Sequence, residues 1–260
     1  VAKINPVFLN AKPNGNFPAH GPNPWTGGAI KKLGKEVRRH GADFGAIFDG
    51  DGDRVFFVDD LGRSISGDAA AVLIGAAFKG PVILDVRAGY VARELFRSSG
   101  RKVIDSRVGH FFIKKLMRKK RMQYGAEISG HYYFAVKDAG GTLYFDSGIL
   151  AAVNMINQIS NLKSQNLRMS DWIDSLPKTY RISETNFNVS DKEGMIKKIE
   201  SNFKKSAKRV SKLDGIRMDF PDFWFSVRSS NTEDLLRLNL EARDKKTLKQ
   251  KLLELKASIF

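Results

Sequence analysis

The sequence predicts an α/β protein, with layered domains of mixed α/β structure and mostly parallel strands, followed by a smaller α+β domain at the C-terminus. As far as about residue 160, short apolar strands alternate with helical segments, which is the pattern of α/β layers. Beyond that point the order becomes strand, helix, several strands and helix, which is typical of α+β structure. At roughly 100–200 residues per domain, 260 residues allow two compact domains or three small ones. We place three domains, at 1–64, 65–165 and 166–260.

The first domain contains an acidic loop between two predicted strands. Apolar residues at Ile30, Leu33 and Val37 recur at helical spacing, and Gly41 is a typical helix stop. Along this domain we predict a strand at 1–9, turns at 10–25, a helix at 27–40, and strands at 44–48 and 54–58.

The second domain alternates helices and strands of the lengths expected for α/β layers. Its first helix is rich in Ala, and Asp68 is placed to cap its N-terminus. The predicted helices span 68–78, 91–99, 110–120 and 147–159, and the strands span 81–86, 102–105, part of 125–135, and 142–145.

The third domain follows a polar segment at 162–169 that reads as a linker. Its order of elements predicts an antiparallel sheet covered by helices. We predict helices at 171–176, 192–209 and 246–258, and strands at 180–189, 216–220, 223–227 and 235–242.

Cysteine is absent, which excludes disulfides, thiolate nucleophiles and metal sites built on cysteine. The four histidines are dispersed and do not form a histidine-rich metal motif. The longest apolar stretch, Ala69–Phe78, is too short to cross a bilayer, and no signal-peptide pattern opens the sequence. We therefore expect a cytoplasmic protein that does not bind membranes.

The charge balance is strongly basic, with 44 Lys and Arg against 28 Asp and Glu, a net charge of +16. Such a surface attracts polyanions, and the basic residues concentrate at 114–121 and 197–212. Apolar residues at helical spacing within both segments favour solvated helix faces instead. Aromatic residues do not alternate with the cations as on a base-stacking surface. A basic nucleic-acid-binding module remains the alternative from a different functional class.

The strongest chemical signal is the sequence Asp-Gly-Asp-Gly-Asp-Arg at 49–54, between two apolar strands. Glycines between the carboxylates permit backbone angles that let all three turn toward one point. Converging carboxylates repel one another unless a cation lies between them, and such oxygen ligands suit Mg²⁺ or Ca²⁺. An EF-hand would need glycine at the sixth position of the loop, where this sequence has Arg54. We therefore predict a divalent-cation site of another kind at Asp49, Asp51 and Asp53.

Four segments, in order along the chain, resemble a known family. The acidic sequence at 49–54 resembles the metal-binding loop of the α-D-phosphohexomutases, which include phosphomannomutases and phosphoglucomutases. The turn-rich segment at 17–24 resembles the segment that precedes that loop. Glu-Ile-Ser-Gly-His at 127–131 resembles the family's sugar-recognition loop, although Ala126 stands where glycine is usual. Arg-Ser-Ser-Asn-Thr-Glu at 228–233 resembles its phosphate-binding loop.

The resemblance assigns a role to each domain and to particular residues. It implies an incomplete metal-binding domain at 1–64, a sugar-recognition domain at 65–165 and a phosphate-binding domain at 166–260. In the first two domains it implies Mg²⁺ held by Asp49, Asp51 and Asp53, Arg54 beside the reacting phosphate, His110 contacting substrate or moving a proton, Arg87 facing the substrate, and Glu127 and Ser129 on the sugar hydroxyls. In the third it implies that Arg228, Ser230, Asn231 and Thr232 bind the phosphate that is not reacting.

The family's phosphorylated serine lies in a short loop containing a Ser-His pair, and this sequence has no such pair. We therefore expect a C-terminal portion that lacks the phosphoserine domain and is inactive alone, with that domain and a phosphosugar as partners. The resemblance implies interconversion of hexose 1-phosphate and hexose 6-phosphate, with mannose or glucose phosphate as substrate, through a bisphosphorylated sugar. A phosphoglucosamine mutase is the alternative within the family.

Overall fold

The computed structural model describes residues 4–12, 14–230 and 233–259. In the first domain, helix α1 (Ala29–His40) packs on a hairpin of strands β1 (Phe44–Phe48) and β2 (Val55–Asp59). The two strands pair in antiparallel register, so the acidic loop is the connection at the tip of a hairpin. Helix α1 ends at Gly41 in the left-handed conformation, as its sequence predicts. The strand predicted at 1–9 is not formed at residues 4–9, and residues 1–3 lie outside the described ranges.

The second domain has a five-stranded sheet flanked by helices. Its elements are α2 (Gly67–Gly75), β3 (Val82–Asp85), α3 (Tyr90–Ser98), β4 (Val103–Ser106), α4 (His110–Lys120), β5 (Tyr124–Ala126), β6 (Tyr132–Asp138), β7 (Gly141–Asp146), α5 (Gly148–Ser164) and α6 (Met169–Asp174). The strand order is β4-β3-β5-β6-β7. The expected mixed α/β architecture is confirmed.

The expected predominance of parallel strands is wrong. Among the described strands, only β3 pairs in parallel, with β4 and with β5, whereas β5–β6 and β6–β7 are antiparallel. Short connections explain the difference, because a chain that returns after a few residues can only pair antiparallel with the strand it leaves.

The start of α2 also differs from expectation. The side chain of Ser66, not Asp68, caps the helix by accepting a hydrogen bond from the amide of Ala69 at 3.2 Å. Asp68 lies inside the first turn, where its carboxylate accepts a hydrogen bond from the amide of Gly89 at 2.9 Å. Ser66, two positions earlier, therefore supplies the cap. The side chain of Asp68 instead bonds the residue that precedes α3 and so links α2 to α3.

The third domain is an antiparallel sheet covered by two helices. Its elements are β8 (Tyr180–Arg181), β9 (Thr185–Asn188), α7 (Lys192–Phe203), a single 3₁₀ turn (Lys204–Ser206), β10 (Arg209–Ser211), β11 (Ile216–Asp219), β12 (Phe223–Ser229), β13 (Leu235–Ala242) and α8 (Lys245–Ile259). The strand predicted at 180–189 is interrupted, and both of its parts pair with β13. The helix predicted at 192–209 ends at Phe203, because the residues that follow form the turn and join the sheet as β10.

The described part of the chain contains two large apolar cores, and the third domain has a core of its own. The first joins the β1–β2 hairpin to the second domain and includes Phe57, Ile74 and Met155. Met169 of α6 packs in this core, although the boundary predicted at residue 165 lies before it. That boundary remains a prediction. The second core lies within the third domain, around the β12–β13 pair.

The third domain docks on the second through polar contacts. The buried guanidinium of Arg217 donates to the carbonyls of Val86 and Ala88, at 2.6 and 2.8 Å. The buried carboxylate of Glu241 accepts from the indole of Trp224 at 2.6 Å and from the amide of Tyr90 at 3.1 Å. These contacts place β11 beside the carboxyl end of β3 and β13 beside the start of α3. Across the described ranges, no helix is long and apolar enough to cross a membrane.

Candidate active site

The hairpin brings together the three aspartates of the acidic loop. One ligand oxygen from each of Asp49, Asp51 and Asp53 lies within 4.8 Å of the others. Gly52 adopts a positive φ of 74°, a backbone conformation that glycine tolerates and that turns the loop back on itself. Three carboxylate oxygens at this spacing are a donor set suited to Mg²⁺.

The electrostatics of this loop favour a cation. Burial raises the pKa of Asp53, the charge of His131 lowers it, and repulsion from Asp49 and Asp51 raises it, so that it lies above its ordinary value. Burial also raises the pKa of Asp49, but hydrogen bonds from Arg54 outweigh that effect and leave it lowered. Asp49 is therefore held as a carboxylate, and Asp53 experiences repulsion that a divalent cation would remove.

Arg54 is oriented by the same loop. Its Nε donates to Asp49 Oδ2 at 2.5 Å, its amide donates to Asp49 Oδ1 at 3.1 Å, and the guanidinium lies 3.8 Å from Asp53. The predicted neighbour of the reacting phosphate thus lies against two of the predicted metal ligands. A fixed guanidinium beside a cation site is suited to hold a phosphoryl group.

The predicted recognition loop is a tight turn between β5 and β6. The amide of Glu127 donates to the carbonyl of His131 at 2.9 Å, and Gly130 has φ 92°. The carbonyl of Gly130 accepts from the amide of Val55 in β2 at 3.1 Å. This contact joins the turn to the hairpin that carries the acidic loop.

Glu127 is held from both sides and is only 2% exposed. The phenol of Tyr133 donates to its Oε2 at 2.5 Å, and the amide of Gly109 donates to its Oε1 at 2.7 Å. Each carboxylate oxygen can accept a further hydrogen bond. Tyr133 was not singled out in the sequence, where it reads as an ordinary strand residue.

Arg87 follows β3 and reaches the recognition loop. Its guanidinium donates to both oxygens of Asp85, at 3.0 and 3.1 Å, and to Ser129 Oγ at 3.3 Å, and it lies 3.6 Å from Glu127. Burial lowers the pKa of Arg87, but the charge of Asp85 outweighs burial and raises it above the ordinary value. The structure therefore brings together three predicted substrate residues, Arg87, Glu127 and Ser129. Among them, Arg87 carries a permanent positive charge.

His131 connects the acidic loop with the recognition loop. In the sequence it is only the last residue of the Glu-Ile-Ser-Gly-His motif. Its Nε2 lies 3.4 Å from Asp53 Oδ2, and its Nδ1 lies 3.5 Å from Glu127 Oε2 and 3.3 Å from Ser129 Oγ. An imidazole between carboxylates is suited to accept and return a proton.

The predicted His110 lies at the rim of this site. It is the first residue of α4, and its side chain is 62% exposed, with Nδ1 3.6 Å from Asp146 Oδ2. Burial raises the pKa of Asp146, but the hydrogen bond from Lys114 at 2.9 Å outweighs it and leaves that pKa lowered. Asp146 also lies with Asp53 and His131 in a second group of ligand atoms within 4.8 Å of one another.

The predicted phosphate loop is the connection between β12 and β13. Arg228 is buried and lies opposite Arg237 in the register of the two strands. The amide of Ser230 donates to the carbonyl of Leu235 at 2.8 Å, and its hydroxyl accepts from Arg237 at 3.3 Å. Asn231 and Thr232 lie outside the described residues. Sequence reasoning missed Arg237, because its position opposite Arg228 depends on the register of the hairpin.

A chain of hydrogen bonds joins this loop to the end of β3. Arg181 donates to the carbonyl of Arg87 at 2.7 Å and to the side-chain oxygen of Asn239 at 3.3 Å. Asn239 in turn donates to Glu184 at 3.0 Å, and Glu184 contacts Arg228 at 3.5 Å. The metal, recognition and phosphate loops thus belong to one connected polar region.

The two basic segments are partly committed to local ion pairs. Lys114 bonds Asp146 at the rim of the site, and Lys212 pairs with Glu200 at 2.8 Å. Ile113 and Met117 bury the other face of α4 against the sheet. The first segment is a solvated helix face, whereas the second is helical only as far as Phe203 and continues into the 3₁₀ turn and β10. A nucleic-acid-binding module is not favoured.

Comparison with known proteins places this architecture. Three family models match in series: phosphoglucomutase/phosphomannomutase alpha/beta/alpha domain II over residues 1–62, alpha/beta/alpha domain III over 66–180, and the C-terminal domain over 184–256. The chain belongs to the phosphoglucomutase/phosphomannomutase family, and the resemblance to α-D-phosphohexomutases is confirmed.

Individual relatives agree with this assignment. The chain is 38% identical over 257 residues to a phosphomannomutase of Methanocaldococcus jannaschii, covering 97% of this chain and 55% of that protein. It is 34% identical over 249 residues to a phosphomannomutase of Escherichia coli K12, covering 93% and 53%. A crystal structure of a phosphoglucomutase/phosphomannomutase family protein from Burkholderia thailandensis superposes with a TM-score of 0.82 at 26% identity, covering 95% and 52%. The chain spans about half the length of these relatives.

Proposed function

We propose that the protein containing this chain is a phosphohexose mutase, which interconverts the 1-phosphate and the 6-phosphate of mannose or glucose. The observation that supports it most is the single polar region in which the acidic loop, the recognition loop and the phosphate loop meet. A sugar phosphate needs all three kinds of group: charge stabilisation for the transferring phosphoryl group, hydrogen bonds for the hydroxyls, and cations for the second phosphate.

Asp49, Asp51 and Asp53 fit Mg²⁺, because they supply three carboxylate oxygens that lie close together. When bound, Mg²⁺ neutralises charge that develops on a transferring phosphoryl group. Arg54, fixed against Asp49, lies where it would hold an oxygen of the same group. We assign the phosphoserine that donates this group to a domain outside this chain.

His131 is our candidate for the proton transfer. As the sugar hydroxyl oxygen attacks phosphorus, a new O–P bond forms, the serine O–P bond breaks, and the hydroxyl proton passes to an imidazole nitrogen. The ring of His131 lies between Asp53 and Glu127, 3.4 and 3.5 Å from their carboxylate oxygens. His110, at the rim, contacts substrate or limits its escape.

Glu127 and Ser129 hold the sugar hydroxyls, and Arg228 and Ser230 hold the phosphate that is not reacting, with Asn231 and Thr232 in the same loop. The bisphosphorylated sugar then turns over in the site and returns its other phosphate to the serine. Arg87 supports this exchange, because it stays cationic beside the recognition loop.

The test is mutase activity of the protein that joins this chain to its serine-bearing domain. Conversion of mannose 1-phosphate to mannose 6-phosphate is followed by ³¹P NMR, with a trace of hexose bisphosphate as primer. We expect Asp51→Asn to abolish the Mg²⁺-dependent rate and Arg228→Ala to raise KM. The control is Asp138→Asn, at the exposed end of β6. A complete protein without this activity, or one indifferent to Asp51→Asn, would contradict the proposal.

A further inference from the structure

We propose that Glu184 is a positioning residue that sets the affinity of the phosphate subsite, by occupying its arginines when the subsite is empty and opposing the bound anion. This inference rests on the proposed phosphate-binding role of the β12–β13 loop. It explains a feature that the mutase assignment leaves open, a carboxylate placed directly on the cations that would bind phosphate.

The geometry of Glu184 is that of a bridge. It lies between β8 and β9, with Oε2 3.5 Å from an Nη of Arg228 and Oε1 3.4 Å from an Nη of Arg237. These two arginines face each other across adjacent strands, so their charges repel unless an anion lies between them. A carboxylate with its two oxygens on two guanidinium groups does what a phosphate would do there.

The bridge is loose. Charge-assisted hydrogen bonds between guanidinium and carboxylate are usually about 2.7–2.9 Å long, and both contacts of Glu184 with the arginines are longer. Within the described residues, Nε of Arg228 and Nε of Arg237 are buried and have no hydrogen-bond partner. The guanidinium groups therefore keep donor capacity that Glu184 does not use, and a phosphate dianion has more acceptor oxygens to offer.

Glu184 is nevertheless charged and held in place. Burial raises its pKa, but the hydrogen bond from Asn239 and the charges of Arg228, Arg87 and Arg237 outweigh burial and lower it. Because Asn239 is itself bonded to Arg181, the carboxylate stays near the loop when a phosphate takes the arginines. Glu184 then competes with the phosphate for the same cations, in addition to Glu233, which pairs with Arg237 at 3.2 Å. The phosphate is therefore bound less tightly than it would be without the charge of Glu184.

Weakened binding suits the proposed reaction. A bisphosphorylated sugar must leave this subsite and return in the opposite orientation before its second phosphoryl group is transferred. Removal of the carboxylate is therefore expected to improve binding of the anion and to slow turnover, a combination that loss of structural support would not produce.

The experiment measures binding of inorganic phosphate and of mannose 6-phosphate to the chain by isothermal titration calorimetry. Glu184→Gln is expected to bind both probes about fivefold more tightly or better, since it removes one like charge from a partly buried anion site. Glu184→Asp, which keeps the charge, is expected to stay close to the wild-type affinity. Glu254→Gln, on α8 and paired with Lys251, is the matched control for net charge and is expected to have no effect.

In the complete protein, Glu184→Gln is expected to lower KM and kcat together. Thermal melts followed by circular dichroism establish that each variant folds, and Glu184→Ala repeats the test if the amide variant does not. Arg228→Ala separates the proposed phosphate subsite from the proposed role of Glu184 within it. Suppose that Arg228→Ala weakens phosphate binding, but Glu184→Gln also weakens that binding or leaves it unchanged. The proposed role of Glu184 is then wrong, and the phosphate subsite stands. If Arg228→Ala binds like the wild type, the proposed subsite fails and the inference fails with it.

Discussion

The hydrogen bond between the phenol of Tyr133 and the carboxylate of Glu127 tests how firmly the recognition loop is held. Tyr133→Phe removes the hydroxyl and nothing else, and leaves Glu127 with the amide of Gly109 on its other oxygen. Tyr133 and Glu127 are both buried, so water cannot easily replace the lost donor. Hydrogen bonds to charged groups contribute about 1.5–3 kcal/mol to stability, and we expect the free energy of unfolding to fall by that amount.

The matched control is Tyr124→Phe. Tyr124 is also fully buried, and its hydroxyl donates to the backbone carbonyl of Ala71 at 2.9 Å, which is a neutral acceptor. The same substitution there is expected to cost about 0.5–1.5 kcal/mol. The difference between the two variants isolates the charge of Glu127 from the loss of a buried hydroxyl.

Urea unfolding followed by tryptophan fluorescence measures both effects in the same chain. The slope of free energy against urea is expected to stay unchanged, so that the midpoint reports stability directly. If Tyr133→Phe costs no more than Tyr124→Phe, the charged hydrogen bond is not formed and the description of a rigidly held Glu127 is wrong.

Two further predictions concern backbone strain and a buried acid. Gly130→Ala places a Cβ 2.8 Å from the ring of Phe56 at φ 92°, and is expected to destabilise the fold by about 2 kcal/mol or more. Gly80→Ala is the control, because its φ is 80° but an added Cβ would meet nothing within 4 Å, so only the backbone is strained. It is expected to lower the free energy of unfolding less in the same urea titration. Equal losses for the two variants would contradict the packing of the recognition loop on β2. Burial, with repulsion from Glu241, raises the pKa of Asp68 from 3.8 to about 6. The folded state then keeps a proton that the unfolded state loses, so the stability from this group is present below pH 3.8 and is lost as the pH rises through about 6. Asp68→Asn is expected to remove this loss, on the order of 2–3 kcal/mol between pH 4 and 7; parallel profiles of unfolding free energy against pH for both proteins would refute it.

Local patterns in the sequence predict most of the elements. Helix α4 and strand β13 begin and end where their periodicity predicts, because each has a clear apolar pattern along its length. The interruption between β8 and β9 was not predicted, since alternation continues through it and both parts bond to β13. The pairing directions in the second domain depend on how short connections return, which periodicity does not encode.

The candidate site likewise has a part that the sequence predicts and a part that it does not. The acidic loop could be predicted, because all three aspartates and the glycines that turn them are contiguous. The contacts of His131 with Asp53, and of Glu184 with Arg237, join residues far apart in the sequence. Such contacts follow from docking of one element on another and leave no local pattern.

Binding of a divalent cation to the acidic loop tests the central claim most directly. Mn²⁺ is a paramagnetic substitute for Mg²⁺, and its electron paramagnetic resonance signal reports the free ion as it is titrated into the chain. We expect Asp51→Asn to weaken binding about tenfold or more, because it removes the negative charge of one of the three carboxylate ligands. Asp138→Asn, which removes an exposed carboxylate elsewhere, is expected to bind like the wild type. Equal affinity of the wild type and Asp51→Asn would contradict a metal site at this loop.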